Sequence, residues 1–165
     1  MVYTRIAALL KERMGLDAES IGIDSVRRAV RERLAARGLD DAQVYWIQLN
    51  ASEQELQELI EAIVIPETWF FRDPEAFATL VRMVREEWLP KHPEGRLRIL
   101  SLPCSTGEEP FSIAIWLLEN WPLVDAHNIE IVGSDINTRA LSEARAGRYG
   151  ERSLARLPRN VVEDY

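Results

Sequence analysis

The chain has little of the residue types that most often carry chemistry or brace a small protein. Its 165 residues include one cysteine, Cys104, so no disulfide can form within the chain, and this suits a reducing cytoplasm. No apolar run approaches the roughly 20 residues that span a bilayer, and the first residues lack the features of a signal peptide. We therefore expect a cytoplasmic protein without membrane insertion.

Histidine is almost as rare as cysteine, and basic charge is outnumbered by acidic charge. The two histidines, His92 and His127, lie in predicted turns, so we expect neither to be catalytic and assign no metal site. The formal net charge of −7 repels phosphate backbones and anionic headgroups, which argues against a nucleic-acid partner. The 47% of apolar residues is enough for the core of one domain or two small ones.

Residues 1–65 carry helical patterns, each with a residue suited to begin or end a helix. The predicted segments are Val2–Met14 ending at Gly15, Ser25–Arg37 capped by Asp24 and ending at Gly38, a helix from an Asp40 cap to Leu49, and a helix that follows the capping-box pair Ser52 and Glu55. We interpret these residues as a small helical domain.

Residues 66–95 are interpreted as a linker and a connecting helix. Pro66 disfavours helix at Ile65. Asp73 and Pro74 are typical of an N-cap and a first helical residue, and this helix should stop near Pro90.

The most informative pattern is a strand, a loop and a helix. The apolar run Arg96–Leu102 predicts a strand and Phe111–Asn120 predicts a helix, and the loop between them is rich in small and acidic residues (Ser101–Pro110, SLPCSTGEEP). Parallel α/β proteins cradle nucleotide-like ligands in such a loop, at the carboxyl end of a strand. The pattern therefore predicts a Rossmann-like adenosine site, although the loop lacks the G-x-G-x-x-G of nicotinamide enzymes.

A second strand is predicted at Ile129–Gly133, and it ends in Ser134 and Asp135. An acid at the tip of the neighbouring strand can accept hydrogen bonds from ribose hydroxyls. Asn137 is predicted to cap a helix over Thr138–Ala146, after which periodicity is weak.

Two parallel strands alone bury too little surface to be stable. We therefore expect a fragment of a longer protein, or a chain that needs a partner, and the exposed sheet edge suggests self-association. The alternative is a compact α+β protein with further, unrecognised strands.

Four motifs in order resemble the chemoreceptor glutamate O-methyltransferases of the CheR type. They are Thr68–Asp73 (TWFFRD), Ser105–Ser112 (STGEEPFS), Gly133–Ile136 (GSDI) and Ala144–Tyr149 (ARAGRY). The resemblance spans nearly the whole chain, but only about the first half to two thirds of such an enzyme. It implies a helical N-terminal domain, residues 1–65, followed by part of an S-adenosylmethionine-binding α/β domain, residues 96–165.

The resemblance also implies roles for individual residues around S-adenosylmethionine and its product S-adenosylhomocysteine. The implied contacts are Thr68 and Arg72 facing cofactor and active site, the backbone near Pro103 and Cys104 passing the cofactor, Glu109 or alternatively Glu108 on the methionine-adenosine moiety, Asp135 on the ribose, and Ile136 against the adenine. Arg72 is the catalytic candidate, because a planar guanidinium suits bidentate contact with oxygens. Pro66, where the family often has Asn, and Pro103, which lacks a backbone donor, depart from the family pattern.

Each of these residues also has a structural interpretation. Arg72 could form a solvated pair with Asp73 or Glu75. Glu109 and Asp135 could be ordinary helix-start and turn residues, and the aromatic residues at 69–71 could pack rather than line a site. Cys104 has no nearby basic residue to activate it, so a packed loop residue is favoured over a nucleophile.

Methyl transfer to a carboxylate asks little acid–base chemistry of a protein. A glutamate with a pKa near 4.3 is already ionised at pH 7, so no general base is needed. The protein must align oxygen, methyl carbon and sulfur, and must remove water from the carboxylate.

The predicted helix at 25–37 gives the helical domain a basic face in an acidic protein. Arg27, Arg28, Arg31 and Arg33 are its candidate substrate-binding residues. The resemblance implies that the partner is the cytoplasmic helical bundle of a methyl-accepting chemoreceptor, which such a face could steer electrostatically. The alternatives are a solvated face with Arg28 paired to Glu32, and a non-catalytic receptor-binding module.

Overall fold

The computed structural model describes residues 2–16 and 21–165, which divide into two compact units, Met1–Ile65 and Pro66–Tyr165. Within the described residues, no helix combines the length and the apolar character needed to cross a membrane.

The first unit is built from helices. They are α1 (Val2–Met14), α2 (Ile23–Arg37), α3 (Ala42–Ala51) and α4 (Glu53–Ile63). Each helix turns an apolar stripe inward, so that residues three or four apart meet in one core. The largest fully buried members are Ile6, Leu10, Val26, Val30, Tyr45 and Leu59.

Two predicted N-caps of this unit are wrong. Asp24 does not cap α2, because the helix begins earlier, after Gly22, and the Asp24 carboxylate instead accepts a hydrogen bond from Arg27 at 2.9 Å. Asp40 does not cap α3, because its neighbour Asp41 holds that position and accepts from the backbone of Gln43. Neighbouring acids compete for a cap, and the pattern alone does not decide between them.

Ser52 caps α4 as predicted, through a hydrogen bond from the Glu55 backbone. The other half of the capping box is absent, since the Glu55 carboxylate points into the unit. It accepts two hydrogen bonds from Arg33, each at 2.9 Å, and one from the Tyr45 hydroxyl at 3.0 Å. Arg33 also donates to Glu58 at 3.0 Å. This group of four side chains, the α2–α4 ion network, joins three helices of the unit.

The second unit begins with an irregular segment and then a long helical run. Helix α5 (Pro74–Met83) has Asp73 as its N-cap, as the sequence predicts. The run continues as a π turn (Val84–Trp88) and a 3₁₀ turn (Leu89–Lys91), so it ends close to the predicted stop at Pro90.

A two-stranded parallel sheet follows. Strand β1 (Leu97–Ser101) leads into α6 (Glu108–Asn120), and strand β2 (Ile129–Gly133) leads into α7 (Thr138–Ala146). The strands pair in register from Leu97 opposite Ile129 to Ser101 opposite Gly133. The helical crossover between β1 and β2 is the connection that parallel strands require.

The core of this unit lies on one face of the sheet. Side chains alternate along β1, so that Leu97 and Ile99 face α5 and α6 while Leu100 is 62% exposed. The helices contribute the buried side chains Phe77, Val81, Ile113, Leu117 and Trp121. Parallel sheets are ordinarily covered on both faces, and among the described residues this one is covered on one.

Helix α6 and the tail differ from the sequence prediction. Helix α6 starts three residues before the predicted Phe111, because Gly107 turns the chain with φ of 98° and Pro110 falls in the first turn, where its missing N–H costs nothing. The tail, predicted as weakly periodic, forms the short helices α8 (Glu151–Leu154) and α9 (Arg159–Asp164). Val161, Leu154 and Leu157 anchor this tail in a small core with Phe70 and Ile115.

Candidate functional site

Two backbone hydrogen bonds continue the contact between the strands beyond the regular sheet. The backbone N–H of Ser134 donates to the Ser101 carbonyl at 3.0 Å, and the N–H of Cys104 donates to the Ser134 carbonyl at 2.8 Å. The loop after β1 therefore lies against the loop after β2. This adjacency at the carboxyl edge is where open α/β sheets bind ligands.

Asp135 holds both loops with one carboxylate. Its Oδ2 accepts from the Ser105 N–H at 2.7 Å, and its Oδ1 accepts from the Asn137 N–H at 2.8 Å. Each carboxylate oxygen has two lone pairs, so two backbone contacts leave capacity for two further donors. Asp135 is half-buried, which keeps part of the carboxylate open to a ligand.

The loop also contains a buried hydroxyl that lacks a partner. Ser105 has φ of 50°, an uncommon conformation for a residue other than glycine. Its Oγ is buried and makes no hydrogen bond within the described residues. The backbone N–H of Ser105 is bonded to Asp135, so this unsatisfied hydroxyl belongs to a residue of the same loop contact, which makes the loop a candidate for ligand binding.

The neighbouring acids Glu108 and Glu109 have different surroundings. Glu108 is 2% exposed, and its carboxylate accepts from the hydroxyls of Thr106 and Ser153. Glu109 is exposed, and one of its oxygens accepts from the Ser101 hydroxyl at 2.7 Å, at the tip of β1. The structure thus gives Glu108 a role in holding the loop to the tail and leaves Glu109 accessible.

The tail closes over the loop through Tyr149. The Tyr149 hydroxyl donates to the Thr106 carbonyl at 2.9 Å. Burial first, and then the charge of Glu108, raise the pKa of this phenol to about 12, so it remains a donor at neutral pH. A Cβ on Gly107 would come within 2.7 Å of the same hydroxyl, so glycine is required there by space as well as by its φ.

Cys104 is 2% exposed and lies behind the loop. Burial, followed by the charge of Asp135, raises the pKa of its thiol, which is the reverse of what a nucleophile needs. A Cβ on Gly133 would approach the Cys104 Sγ to 3.1 Å, so the side chain packs against the end of β2. Its backbone N–H is already bonded to Ser134, and its neighbour Pro103 is exposed.

The segment before α5 is attached to the same region. The N–H of Phe71 donates to the Ser112 hydroxyl at 3.0 Å, and the N–H of Phe70 donates to the Ser153 carbonyl at 3.0 Å. Phe70 meets Tyr149 edge-on at 4.8 Å, while Phe71 packs on Trp116 at 5.1 Å. These two aromatic residues therefore pack within the second unit.

Arg72 follows this anchored segment and is exposed. It donates to the Glu67 carbonyl at 2.6 Å and stacks on Trp69, with Cζ 4.7 Å from the ring centroid. The solvated pair with Asp73 or Glu75 is not formed. Thr68 is half-buried and Ile136 is exposed.

The structure thus brings Cys104, Asp135 and Glu109 to the tips of the two strands. It adds three residues that the motifs did not single out, namely Ser105 with its free hydroxyl, Tyr149 above the loop, and Ser153 bonded to both Glu108 and Phe70. Ser105 and Tyr149 lie inside two of the four motifs, so the sequence carries a signal for both, whereas Ser153 lies outside every motif. Among the described residues, no group of three or more His, Cys, Asp and Glu side chains is placed to hold a metal ion.

The four candidate arginines of α2 fall into different environments. Arg27 and Arg31 are exposed, with Arg27 paired to Asp24. Arg28 pairs with Glu32 at 3.4 Å, as the alternative interpretation expects, and also donates to the Ala62 carbonyl. The Arg33 side chain is 14% exposed and is committed to the α2–α4 ion network.

Comparison with known sequences gives the same two-part division. Residues 1–64 match the family described as CheR methyltransferase, all-alpha domain, and residues 66–165 match the family described as CheR methyltransferase, SAM binding domain.

Individual relatives agree with these family matches. The chain is 49% identical to the probable biofilm formation methyltransferase WspC of Pseudomonas aeruginosa over 91% of its own length and 35% of that protein. It is 40% identical to chemotaxis protein methyltransferase 2 of Vibrio cholerae over 73% of its length and 42% of that protein. It is 33% identical to the chemotaxis protein methyltransferase of Salmonella typhimurium over 99% of its length and 55% of that protein. The chain therefore spans about a third to a half of the length of these relatives.

Proposed function

Because this chain belongs to the CheR methyltransferase family, we propose that it supplies the receptor-recognition unit and the S-adenosylmethionine cradle of a protein-glutamate O-methyltransferase. The substrates would be glutamate side chains on the cytoplasmic helices of methyl-accepting chemoreceptors or related signalling receptors. The observation that carries the proposal is the position of Asp135, which bridges two strand-tip loops within the domain that matches the family's cofactor-binding part.

The residues at the strand tips fit the cofactor chemically. Asp135 has acceptor capacity for two ribose hydroxyls, and the unpartnered Ser105 Oγ lies on the same loop. Glu109 is accessible at the tip of β1 and suits the cationic methionine end, whereas Glu108 is occupied by two hydroxyls. Ile136 is exposed next to Asp135, where it could cover the adenine.

When bound, the cofactor supplies an electrophilic methyl group on sulfonium sulfur. The chain's own task is to bind the nucleoside, orient the target carboxylate and exclude water. Arg72 would orient that carboxylate, because its guanidinium is exposed and forms no ion pair within the described residues. No proton needs to be removed from a glutamate at neutral pH.

Cofactor binding is tested by calorimetry with S-adenosylhomocysteine. We expect Asp135→Asn to weaken binding about tenfold to a hundredfold, because a charge-assisted hydrogen bond contributes about 1.5–3 kcal/mol. The matched control is Asp125→Asn, an exposed aspartate of the same unit that should leave binding unchanged.

A second pair of variants separates the adjacent acids. Glu109→Gln should weaken S-adenosylhomocysteine binding directly. Glu108→Gln should instead loosen the tail, measured as faster hydrogen exchange in residues 149–161. The proposal fails if S-adenosylhomocysteine does not bind the chain, or if Asp135→Asn and Asp125→Asn bind it equally well.

Receptor recognition would use the exposed face of α2 that carries Arg27 and Arg31. Reversing charge at Arg27 and Arg31 should weaken binding to an acidic helical peptide of a chemoreceptor methylation region and should leave S-adenosylhomocysteine affinity unchanged. The matched control reverses two exposed arginines of the second unit, Arg82 and Arg85. Equal effects of the two double variants on peptide binding would contradict a docking role for α2.

A second candidate function is a non-catalytic receptor-binding module. The observation that favours it is the helical unit, which is compact, has its own family match and exposes Arg27 and Arg31 on α2. Peptide binding through Arg27 and Arg31 without any S-adenosylhomocysteine binding would support it.

A further inference from the structure

Two arginine side chains place their guanidinium groups over the indole ring of Trp69. The Cζ of Arg72 lies 4.7 Å from the centroid of the Trp69 ring, and the Cζ of Arg156 lies 4.8 Å from it. Arg156 follows α8 in the tail, more than 80 positions after Trp69 in the sequence. Its arrival at this ring is therefore a tertiary feature that no local pattern predicts.

Several contacts fix this arrangement. The Phe70 N–H donates to the Ser153 carbonyl at 3.0 Å, which ties the residue after Trp69 to the helix just before Arg156. Phe70 also packs with Leu154 and Leu157, on either side of Arg156 in sequence. The two segments that carry the arginines are consequently held together by a backbone bond and a small apolar core.

The charges of this pair are not neutralised. Both guanidiniums are exposed, and within the described residues neither forms an ion pair with a carboxylate. Arg72 donates one N–H to the Glu67 carbonyl, and its other N–H donors remain available for a ligand. The Trp69 Nε1 is buried and has no hydrogen-bond partner among the described residues. Two exposed guanidiniums on one indole ring, neither paired with a carboxylate in the described part of the chain, leave N–H donors available to an anionic ligand.

We propose that Arg72 and Arg156, stacked on Trp69, form a two-guanidinium site for a carboxylate. Stacking on an indole holds a guanidinium plane in place and leaves its N–H edge free for bidentate contact. Arg156 is thereby assigned as a substrate-positioning partner of Arg72. The assignment deepens the proposed function and rests on it, because it assumes that Arg72 faces the site.

Two carboxylates could occupy this site. One is the target glutamate side chain, and the other is the methionine carboxylate of the cofactor. Both present the planar pair of oxygens that an arginine fork matches. The chemistry is shared, so the experiment must first establish the carboxylate site and then identify its source.

The site is tested by NMR on the ¹⁵N-labelled chain without cofactor. The probe is N-acetylglutamate with its α-carboxyl group blocked as the N-methylamide, and the correspondingly blocked N-acetylglutamine is its neutral isostere. These two blocked compounds are written below simply as N-acetylglutamate and N-acetylglutamine. The reporter is the Trp69 indole N–H, assigned with Trp69→Phe. We expect a saturable shift with N-acetylglutamate and none with N-acetylglutamine. Arg156→Gln should raise the apparent Kd about tenfold, and Arg156→Lys should restore only part of the affinity, because an ammonium lacks the planar fork. Arg159→Gln, an exposed arginine of α9, should change nothing.

Calorimetry identifies which of the two carboxylates binds. It compares S-adenosylhomocysteine with 5′-methylthioadenosine, which lacks the amino-acid carboxylate. If Arg156→Gln weakens only S-adenosylhomocysteine, the cofactor carboxylate is the ligand. If it leaves both affinities unchanged while the N-acetylglutamate response is lost, the ligand is the target glutamate.

The inference is overturned if N-acetylglutamate does not shift the Trp69 resonance, if N-acetylglutamine shifts it equally, or if the response survives in Arg156→Gln. Because this titration contains no cofactor, it can fail while Asp135→Asn still weakens S-adenosylhomocysteine binding. Failure of the inference is thus distinguishable from failure of the proposed function.

Discussion

Arg33→Met should come close to unfolding the helical unit. Arg33 donates two hydrogen bonds to Glu55, whose side chain is 3% exposed. Methionine keeps the aliphatic length of the arginine stem and removes its charge and donors. The Glu55 carboxylate is then left buried with the Tyr45 hydroxyl at 3.0 Å and the Arg37 guanidinium at 3.8 Å.

The magnitude follows from comparing this loss with the stability available. Breaking a buried ion pair by removing one partner costs about 3–5 kcal/mol. At about 0.05–0.15 kcal/mol per residue, a unit of this length is stable by roughly 3–10 kcal/mol. The loss is therefore comparable to the whole free energy of unfolding.

Hydrogen exchange measured by mass spectrometry resolves the effect within the intact chain. Peptides from α2 and α4 should lose roughly a hundredfold to a few thousandfold of protection, since each 1.4 kcal/mol is a factor of ten. Arg27→Met is the matched control, because it removes an exposed pair with Asp24 on the same helix and should cost no more than about 1 kcal/mol.

A double variant distinguishes the loss of the ion-pair attraction from the cost of leaving the Glu55 carboxylate buried without its partner. Arg33→Met combined with Glu55→Met removes both ions, and it should recover much of the lost stability. The Tyr45 hydroxyl would still lack its acceptor, at about 1–3 kcal/mol. The reasoning is refuted if Arg33→Met loses no more protection than Arg27→Met.

Three further predictions concern pH, the thiol and the tail. Burial opposes ionisation of Glu55, but hydrogen bonds from Arg33 and Tyr45 outweigh burial and lower the pKa of this carboxyl group. The helical unit should therefore lose stability as the pH falls below about 4.3. Chemical denaturation should show a weaker pH dependence of stability in Glu55→Gln than in the unaltered chain. Cys104, with its raised pKa and 2% exposure, should react with iodoacetamide in the unfolded chain but much more slowly in the folded one, and equal rates would contradict its packed position. Tyr149→Phe should cost about 1–3 kcal/mol by leaving the Thr106 carbonyl without its donor, seen as faster hydrogen exchange in residues 103–107 and absent in the matched exposed variant Tyr165→Phe.

Local chemistry made most of the helices and both strands predictable. Gly38 ends α2 in the left-handed conformation, and Asn137 caps α7 through the Ala140 N–H, because these residue types satisfy helix ends by themselves. The parallel pair was predictable because two apolar runs flank a helix. The short helices α8 and α9 were missed, since each is too brief to show a period and is held by contacts with Phe70 and Ile115.

Individual side-chain roles were harder to predict than backbone segments. The surplus of basic charge on α2 grouped Arg33 with Arg27, Arg28 and Arg31 as candidate substrate-binding residues. Nothing in that charge pattern reveals that Arg33 pairs with Glu55 on another helix. Likewise, Glu108 and Glu109 look alike in sequence, and only the hydroxyls of Ser153 and Ser101 distinguish them. Such assignments depend on partners that are distant along the chain.

Ser153 makes the end of the tail, residues 150–165, a structural part of a region to which these residues contribute no motif. Its carbonyl accepts a hydrogen bond from Phe70, and its hydroxyl donates one to Glu108. Ser153 thus joins two segments that are about 40 positions apart in sequence. A version of the chain shortened to Tyr149 would retain each of the four motifs but would lack both Ser153 hydrogen bonds. The segment that carries Arg72 would then no longer be held in place by the tail. Motif content is thus a poor guide to the minimal folded piece of this protein, which must extend through the last apolar anchor at Val161.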